Sequence, residues 1–423
     1  MQVLFCYAVG LPVQHKTPNC VEQVFMVKKY FAGCMPRLNI AMNTNDLIAQ
    51  GNTHREQNNP EAALACYVQA IAFDRNCAAG FNNYGNVLRE CAEPEGAIAF
   101  LQRAIQLDPG NITAKFNLAV AWLLMGDYKN GWPQYEWRWQ YEHLNGLLPK
   151  YEQPRWTGQD IKDKIVLVVG EQGHGDNLQF IRFVGDLAQR GAQVWVHVNA
   201  SLIPLFQNSN SITKLIPYEE TPAGFDYWIP IMSIPGVIGN TLENLGHVQY
   251  YLAPNAEKAR AWQEKLGLKR RLRVGFCWSG RRDTWINRHK GMPFAEMLRL
   301  IQRNPTYEWI NLQVDCTDEE NAALVASGVA CYPGSIQSFA DSAALIHHCD
   351  VVLSVDTAIA HLSGALGRPT WVMLSWFALD WRWLLNRDSS PWYSTARLFR
   401  QPKMADWASV TDKVHQYLTW FKV

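Results

Sequence analysis

The chain carries ten cysteines in 423 residues, yet no two of them form a Cys-x-x-Cys pair. That excludes a zinc ribbon and a small disulfide scaffold, and it is read as a reducing, cytoplasmic setting. Net charge is also lacking, with 39 basic side chains against 38 acidic ones. A general nucleic-acid binder or a binder of anionic membranes needs a basic excess that this chain does not have. No apolar run reaches the ~18 residues of a membrane-crossing helix, so no integral membrane segment is expected. Val3 to Val13 is apolar but short, and Lys16, Lys28 and Lys29 follow it, the reverse of the order in a secretory signal. No Gly-x-x-x-x-Gly-Lys-Ser/Thr loop occurs, which excludes a P-loop NTPase, and no Gly-x-Ser-x-Gly elbow exists for a hydrolase.

What is present describes a globular, multidomain chain. Hydrophobic residues make up 48% and charged residues 18%, enough apolar material for real cores. Residues 1–43 show no clear pattern and are set aside as a poorly defined extension. Residues 44–142 repeat with a period of 34. Gly51, Gly85 and Ala119 occupy one small position, and Ala63, Ala97 and Gly131 a second. Tyr67, Leu101 and Tyr135 follow four residues after the second position. Ala70 and Ala104 mark a third, where the last unit has Arg138. Small residues at fixed offsets let two helices cross closely while larger side chains fill the gap. The pattern resembles three tetratricopeptide repeats, which bind a peptide or protein partner along a concave face. Pro133 is expected in the first turn of the last unit's second helix.

Residues 143–163 are polar, carry Pro149, Pro154 and Gly158, and read as a linker. Two α/β arrays follow, over 164–270 and 271–423. Ile165 to Val169 is a buried-strand run that enters Gly173-His174-Gly175-Asp176, with a helix expected from Asn177 to Gln189. Arg273 to Trp278 is a second such strand, entering the loop Ser279-Gly280-Arg281. Val351 to Val355 feeds directly into Asp356-Thr357-Ala358-Ile359-Ala360-His361, where a capped helix opens. The free N–H groups at such a helix start suit a phosphate or pyrophosphate. The same residues also serve an ordinary capped helix. Two successive arrays of this kind predict two Rossmann-like domains facing a cleft, with ligands at the carboxyl ends of the strands.

Gly173-x-Gly175 fails as a dinucleotide fingerprint, because Leu178 holds the third glycine position and the second strand ends at Asn199 without an acid. Hydride transfer is therefore not expected. The absence of any Asp-x-Asp pair weakens a metal-dependent sugar-nucleotide site. Asp176 has two readings: a general base pointing from the first loop into the cleft, or a helix N-cap. Arg281, Arg282, Arg288, His289 and Lys290 cluster within ten residues. They are either fixed cations for a leaving diphosphate or a solvated loop. His347-His348-Cys349 lacks partner spacing for a metal and reads as a helix end. The eighteen tryptophans read mainly as packing anchors.

Taken together, these motifs resemble a bacterial group that joins tetratricopeptide repeats to a glycosyltransferase family 9, heptosyltransferase-type domain. The likeness runs through Gly170 to Asp176 with Gln179-Phe180-Ile181-Arg182, and Gly126-Asp127-Tyr128 with Gly131-Trp132 and Tyr135 to Trp139. It continues in Trp278-Ser279-Gly280, Ser354 to Ala358 with His361-Leu362, Asp380-Trp381-Arg382-Trp383, and Ser390 to Tyr393 with Arg397 to Arg400. The resemblance implies an α-helical repeat region followed by a GT-B fold. It implies inverting, metal-independent transfer from a nucleotide-diphosphate sugar to a protein or glycan hydroxyl, with no cofactor. It places catalysis on Asp176 and donor binding on Ser279, Gly280, Lys290, Asp356, Thr357, Ala358 and His361. Gly173, Gly175, Asn177 and Gln179 fall on the acceptor-side loop. His174 and Ala358 depart from the group's usual residues, which leaves the donor sugar open. A repeat scaffold whose transferase domain has lost activity is the alternative, and a GT-B epimerase is a third.

Overall fold

The computed structural model describes residues 43–141, 148–245, 250–280, 289–377 and 379–421. The expected N-terminal extension, and Arg281, Arg282 and Arg288 of the basic cluster, lie outside the described residues. The chain divides into two compact units, Met1–Pro149 and Lys150–Val423.

In the first unit, α1 (Thr44–Glu56) pairs with α2 (Pro60–Phe73), α3 (Ala78–Glu90) with α4 (Pro94–Leu107), and α5 (Ile112–Leu124) with α6 (Tyr128–Tyr135). The repeat spacing explains the close crossings. A Cβ on Gly85 would lie 2.8 Å from Leu101 Cγ and 3.1 Å from the Ala97 carbonyl oxygen. Gly51 meets the Tyr67 ring in the equivalent place. Asn43, Asn59, Asn111 and Asp127 cap helix starts by accepting from backbone N–H groups. One expectation fails. Pro133 is the sixth residue of α6, in its second turn, where its ring opposes continuation of the helix. The chain accordingly tightens into a 3₁₀ turn at Glu136–Gln140. Arg138 stands fully buried there, paired with Glu136 at 2.8 Å and stacked on Trp139.

In the second unit, β1 (Ile165–Val169), α7 (His174–Phe180), α8 (Val184–Gln189), β2 (Gln193–Val198), β3 (Lys214–Pro217) and β4 (Tyr227–Pro230) build a parallel sheet ordered β3-β2-β1-β4. After α9 (Ala256–Leu266) the second sheet begins with β5 (Arg273–Cys277). It continues through α10 (Phe294–Gln302), β6 (Glu308–Asn311), α11 (Asp318–Ala326), α12 (Phe339–His347), β7 (Val351–Val355) and α13 (Ala358–Ala365). It closes with β8 (Thr370–Leu374), β9 (Ala396–Arg400) and α14 (Trp407–Trp420). The order is β6-β5-β7-β8-β9, parallel throughout. Strands β5, β7 and β8 are buried along their whole length, as a sheet covered on both faces requires. The architecture is a helical repeat region followed by two parallel, Rossmann-like sheets, the arrangement expected of a GT-B fold.

Two boundaries differ from expectation. The first helix begins at His174 rather than Asn177 and breaks at the 3₁₀ turn Ile181–Phe183 before resuming as α8. The expected linker is no loose tether from Gln153 onward. Trp156 is fully buried, its N–H donates to the Trp228 carbonyl at 2.9 Å, and Trp228 N–H returns to Pro154. The segment therefore lies against β4 as part of the second unit.

Candidate functional site

Both sheets have a switch point, where strand order reverses and crossovers leave in opposite directions, and ligands favour the carboxyl ends there. In the second sheet that point lies between β5 and β7, with Cys277 beside Ser354. The Ser279-Gly280 loop and the Asp356-Thr357 turn leave from those two strands. In the first sheet β1 leads to Gly173-His174-Gly175-Asp176. Helices α7 and α13, one from each half, meet across these ends. A Cβ on Gly175 would lie 2.9 Å from His361 Cδ2 and 3.6 Å from Ala358 Cα.

Asp176 is not the N-cap of α7. Gly173 takes that place, and Asp176 stands at the third helical position. Its Oδ2 accepts from the Gly173 N–H at 2.8 Å, and its Oδ1 accepts from Arg382. Asn177 closes the same loop. Its amide donates to the Glu171 and Gly173 carbonyls at 3.1 and 2.9 Å, and its Oδ1 accepts from the Glu171 N–H at 3.2 Å. Gln179 is fully buried and accepts from Arg382 Nε at 2.6 Å. Asn177 and Gln179 therefore point inward and shape the loop.

On the other side, Lys290 Nζ lies 2.5 Å from Asp356 Oδ2 and 3.1 Å from Asp380 Oδ2. Burial pulls its ammonium down, but the two carboxylates outweigh burial and raise it above the ordinary lysine range. Burial likewise pushes Asp380 up, and Arg382 with Lys290 overcome this and hold it well below the usual carboxylate range. Asp176, Arg382, Asp380, Lys290 and Asp356 thus form one chain of alternating charge between the two halves. An ammonium has three donors, and two of them face these carboxylates.

Thr357 is the N-cap of α13, and the helix proper begins at Ala358, two residues after Asp356. Its hydroxyl accepts from the Ile359 N–H at 3.3 Å and lies 2.9 Å from Ser354 Oγ. Ser279 is buried, and Gln313 Oε1 accepts from the Trp278 and Ser279 N–H groups at 3.3 and 3.1 Å, fixing the loop that leads to Gly280. His361 is buried, stacked on Trp383 at 5.4 Å, with Nδ1 2.9 Å from the Tyr393 hydroxyl. Burial lowers its pKa to about 4, Arg382 adds to this, and Asp356, Asp380 and Asp176 oppose it. Neutral His361 therefore shapes the site and supplies no charge near pH 7. Burial pushes the Cys277 thiol up to about 12, which removes it as a nucleophile.

Arg382 and Asp380 carry much of this site, yet sequence reasoning gave them no role. The signal was the stretch Asp380-Trp381-Arg382-Trp383, a charged pair set among tryptophans. In the fold it forms a buried 3₁₀ turn capped by Asp380.

Comparisons with known proteins give a family match in each of the two units. The model of glycosyltransferase family 9 (heptosyltransferase) matches residues 322–373, which include β7, Asp356 and α13. The tetratricopeptide repeat model matches residues 78–111, which include α3 and α4. Protein FlbA of Caulobacter vibrioides is 24% identical over 467 residues, spanning 90% of this chain and 77% of FlbA. E. coli ADP-heptose lps heptosyltransferase II is 16% identical with a TM-score of 0.44, over 60% of this chain and 97% of that one. A Thermobaculum terrenum O-GlcNAc transferase mutant is 15% identical with a TM-score of 0.30, over 86% and 79% of the two chains. The chain thus carries one segment that matches glycosyltransferase family 9 and one that matches a tetratricopeptide repeat. Among the described residues, no helix is long and apolar enough to cross a membrane.

Proposed function

We propose that this chain transfers a sugar from a nucleotide-diphosphate donor to an acceptor hydroxyl, with inversion and without a metal. The observation that supports it most is the meeting of Asp176, from the first turn of α7, with the charged chain that ends on Lys290 and Asp356. Asp176 takes the proton of the acceptor hydroxyl. The oxygen forms its bond to the anomeric carbon as the bond to the diphosphate breaks on the opposite face. The electron pair leaves with the diphosphate, which Lys290, the Ser279-Gly280 loop and the N-terminal amides of α13 stabilise. The carboxylate has about four acceptor sites, so two bonds leave room for a hydroxyl. The repeats recruit a protein or glycan acceptor, or a partner.

The test is calorimetric titration of the full chain with ADP, GDP, UDP and CDP, followed by transfer assays with sugars linked to whichever binds. Binding of one diphosphate, weakened by substitution of Thr357, is the expected result. Binding of none removes the donor-site reading and leaves a repeat scaffold with a degenerate domain.

A further inference from the structure

We propose that Arg382 is a positioning residue that aims the Asp176 carboxylate at the attacking oxygen, a role that rests on the transferase reading above. Its side chain is only 6% exposed. The guanidinium is a planar fork whose donors are directed at both halves of the unit. Nε donates to Gln179 Oε1 at 2.6 Å, and Nη2 donates to Asp176 Oδ1. Nη1 donates to the two Asp380 oxygens at 2.9 and 3.1 Å. The group also lies over the Trp381 ring at 4.4 Å and the Phe180 ring at 5.6 Å. Asp176 and Gln179 sit three residues apart on α7, so the fork grips one helix face of the first half. Asp380 and Trp381 anchor the same fork in the second half.

The consequence for chemistry is geometric. One Asp176 oxygen is tied to its own loop by Gly173, and the other to the donor half by Arg382. With both oxygens tied, the carboxylate plane is fixed relative to the donor. When Asp176 takes the proton its charge is lost, but Arg382 stays in place because Asp380 and Gln179 still hold it. Lysine cannot reproduce this, because its ammonium is a point donor and not a fork.

The experiment follows release of nucleoside diphosphate into water from ADP-, GDP-, UDP- and CDP-linked sugars by the full chain. Water then replaces the acceptor, gives its proton to Asp176 and bonds to the anomeric carbon. In Arg382→Lys and Arg382→Ala, kcat should fall roughly 10²-fold while donor KM and diphosphate affinity stay within about threefold. Millimolar guanidinium should return part of the rate to Arg382→Ala and none to Arg382→Lys, whose side chain fills the space. A kcat near wild type in Arg382→Ala overturns the proposal. So does a parallel loss of kcat and diphosphate affinity, which would make Arg382 a fastener between the halves. If the wild type releases nothing from any donor, the transferase reading falls and this proposal falls with it. Turnover by the variants at the wild-type rate removes this proposal alone.

Discussion

Gly175 faces His361 with no room for a side chain between them, since a Cβ at Gly175 would come within 2.9 Å of His361 Cδ2. His361 cannot yield, because it is stacked on Trp383 and bonded to Tyr393. The contact between α7 and α13 is therefore set by one glycine.

Gly175→Ala should destabilise the second unit. Overpacking typically costs about 1–3 kcal/mol, and the gain from a better helix former is at most about 1. Thermal melting should show a net loss, and titration should show weaker nucleoside diphosphate binding because α13 is displaced. A variant as stable as wild type with unchanged affinity would mean the helices can separate at no cost.

Lys290→Ala should reduce both donor affinity and stability. It leaves Asp356 unpaired and Asp380 with Arg382 alone, and breaking a buried pair costs on the order of 3 kcal/mol. Lys290→Ala/Asp356→Asn, which neutralises the carboxylate left unpaired, should recover much of the stability without recovering diphosphate affinity. Denaturant melts and calorimetry on both variants separate the two roles. Recovery of affinity in the double variant would remove Lys290 from the donor site.

The pH dependence of stability should carry a signature of His361. Its folded pKa is about 4 against an ordinary 6.5. As pH falls from about 6.5 to about 4, the unfolded chain takes up a proton that the folded chain refuses, so stability declines by about 3 kcal/mol. Above that window the residue contributes no pH dependence. His361→Gln should flatten the slope there, and melts across pH 4 to 7 in the two proteins would show it.

Much of this fold could be read from residue patterns. The 34-residue period placed the helix pairs because each small residue meets a larger one, as Gly85 meets Leu101. Continuous apolar runs such as Val351 to Val355 identified the buried parallel strands. Helix starts were harder. Asp176 was weighed as a cap or a base, and the fold gives the cap to Gly173 while Asp176 reaches back to it from within the helix. Strand β9 and helix α14 were not separated from their flanking sequence, because two arginines interrupt Ala396–Arg400, unlike the continuous apolar run of β7. Arg382 was invisible as a site residue because its partners, Asp176 and Gln179, lie some two hundred positions away. Only the fold joins them.

A fragment beginning at Lys150 should fold and bind nucleoside diphosphate by itself. One beginning at Gln159 should be much less stable, because it loses Trp156, whose full burial makes truncation cost about 3–5 kcal/mol. Circular dichroism melts and titration of the two fragments test this. Equal stability of both would show that Pro154 to Trp156 adds nothing to β4.

If Asp176 is the base, Asp176→Asn exposes it. Asparagine keeps an oxygen for the Gly173 N–H but loses its charge toward Arg382, which still has Asp380 and Gln179. Stability should fall by about 1–3 kcal/mol, the worth of a hydrogen bond to a charged group. Sugar transfer should fall by roughly 10²- to 10⁴-fold, since the proton acceptor is gone. Diphosphate binding should persist, because its contacts lie on the other half. Transfer near the wild-type rate in a folded, donor-binding Asp176→Asn protein would leave Asp176 as no more than a residue that closes the start of α7.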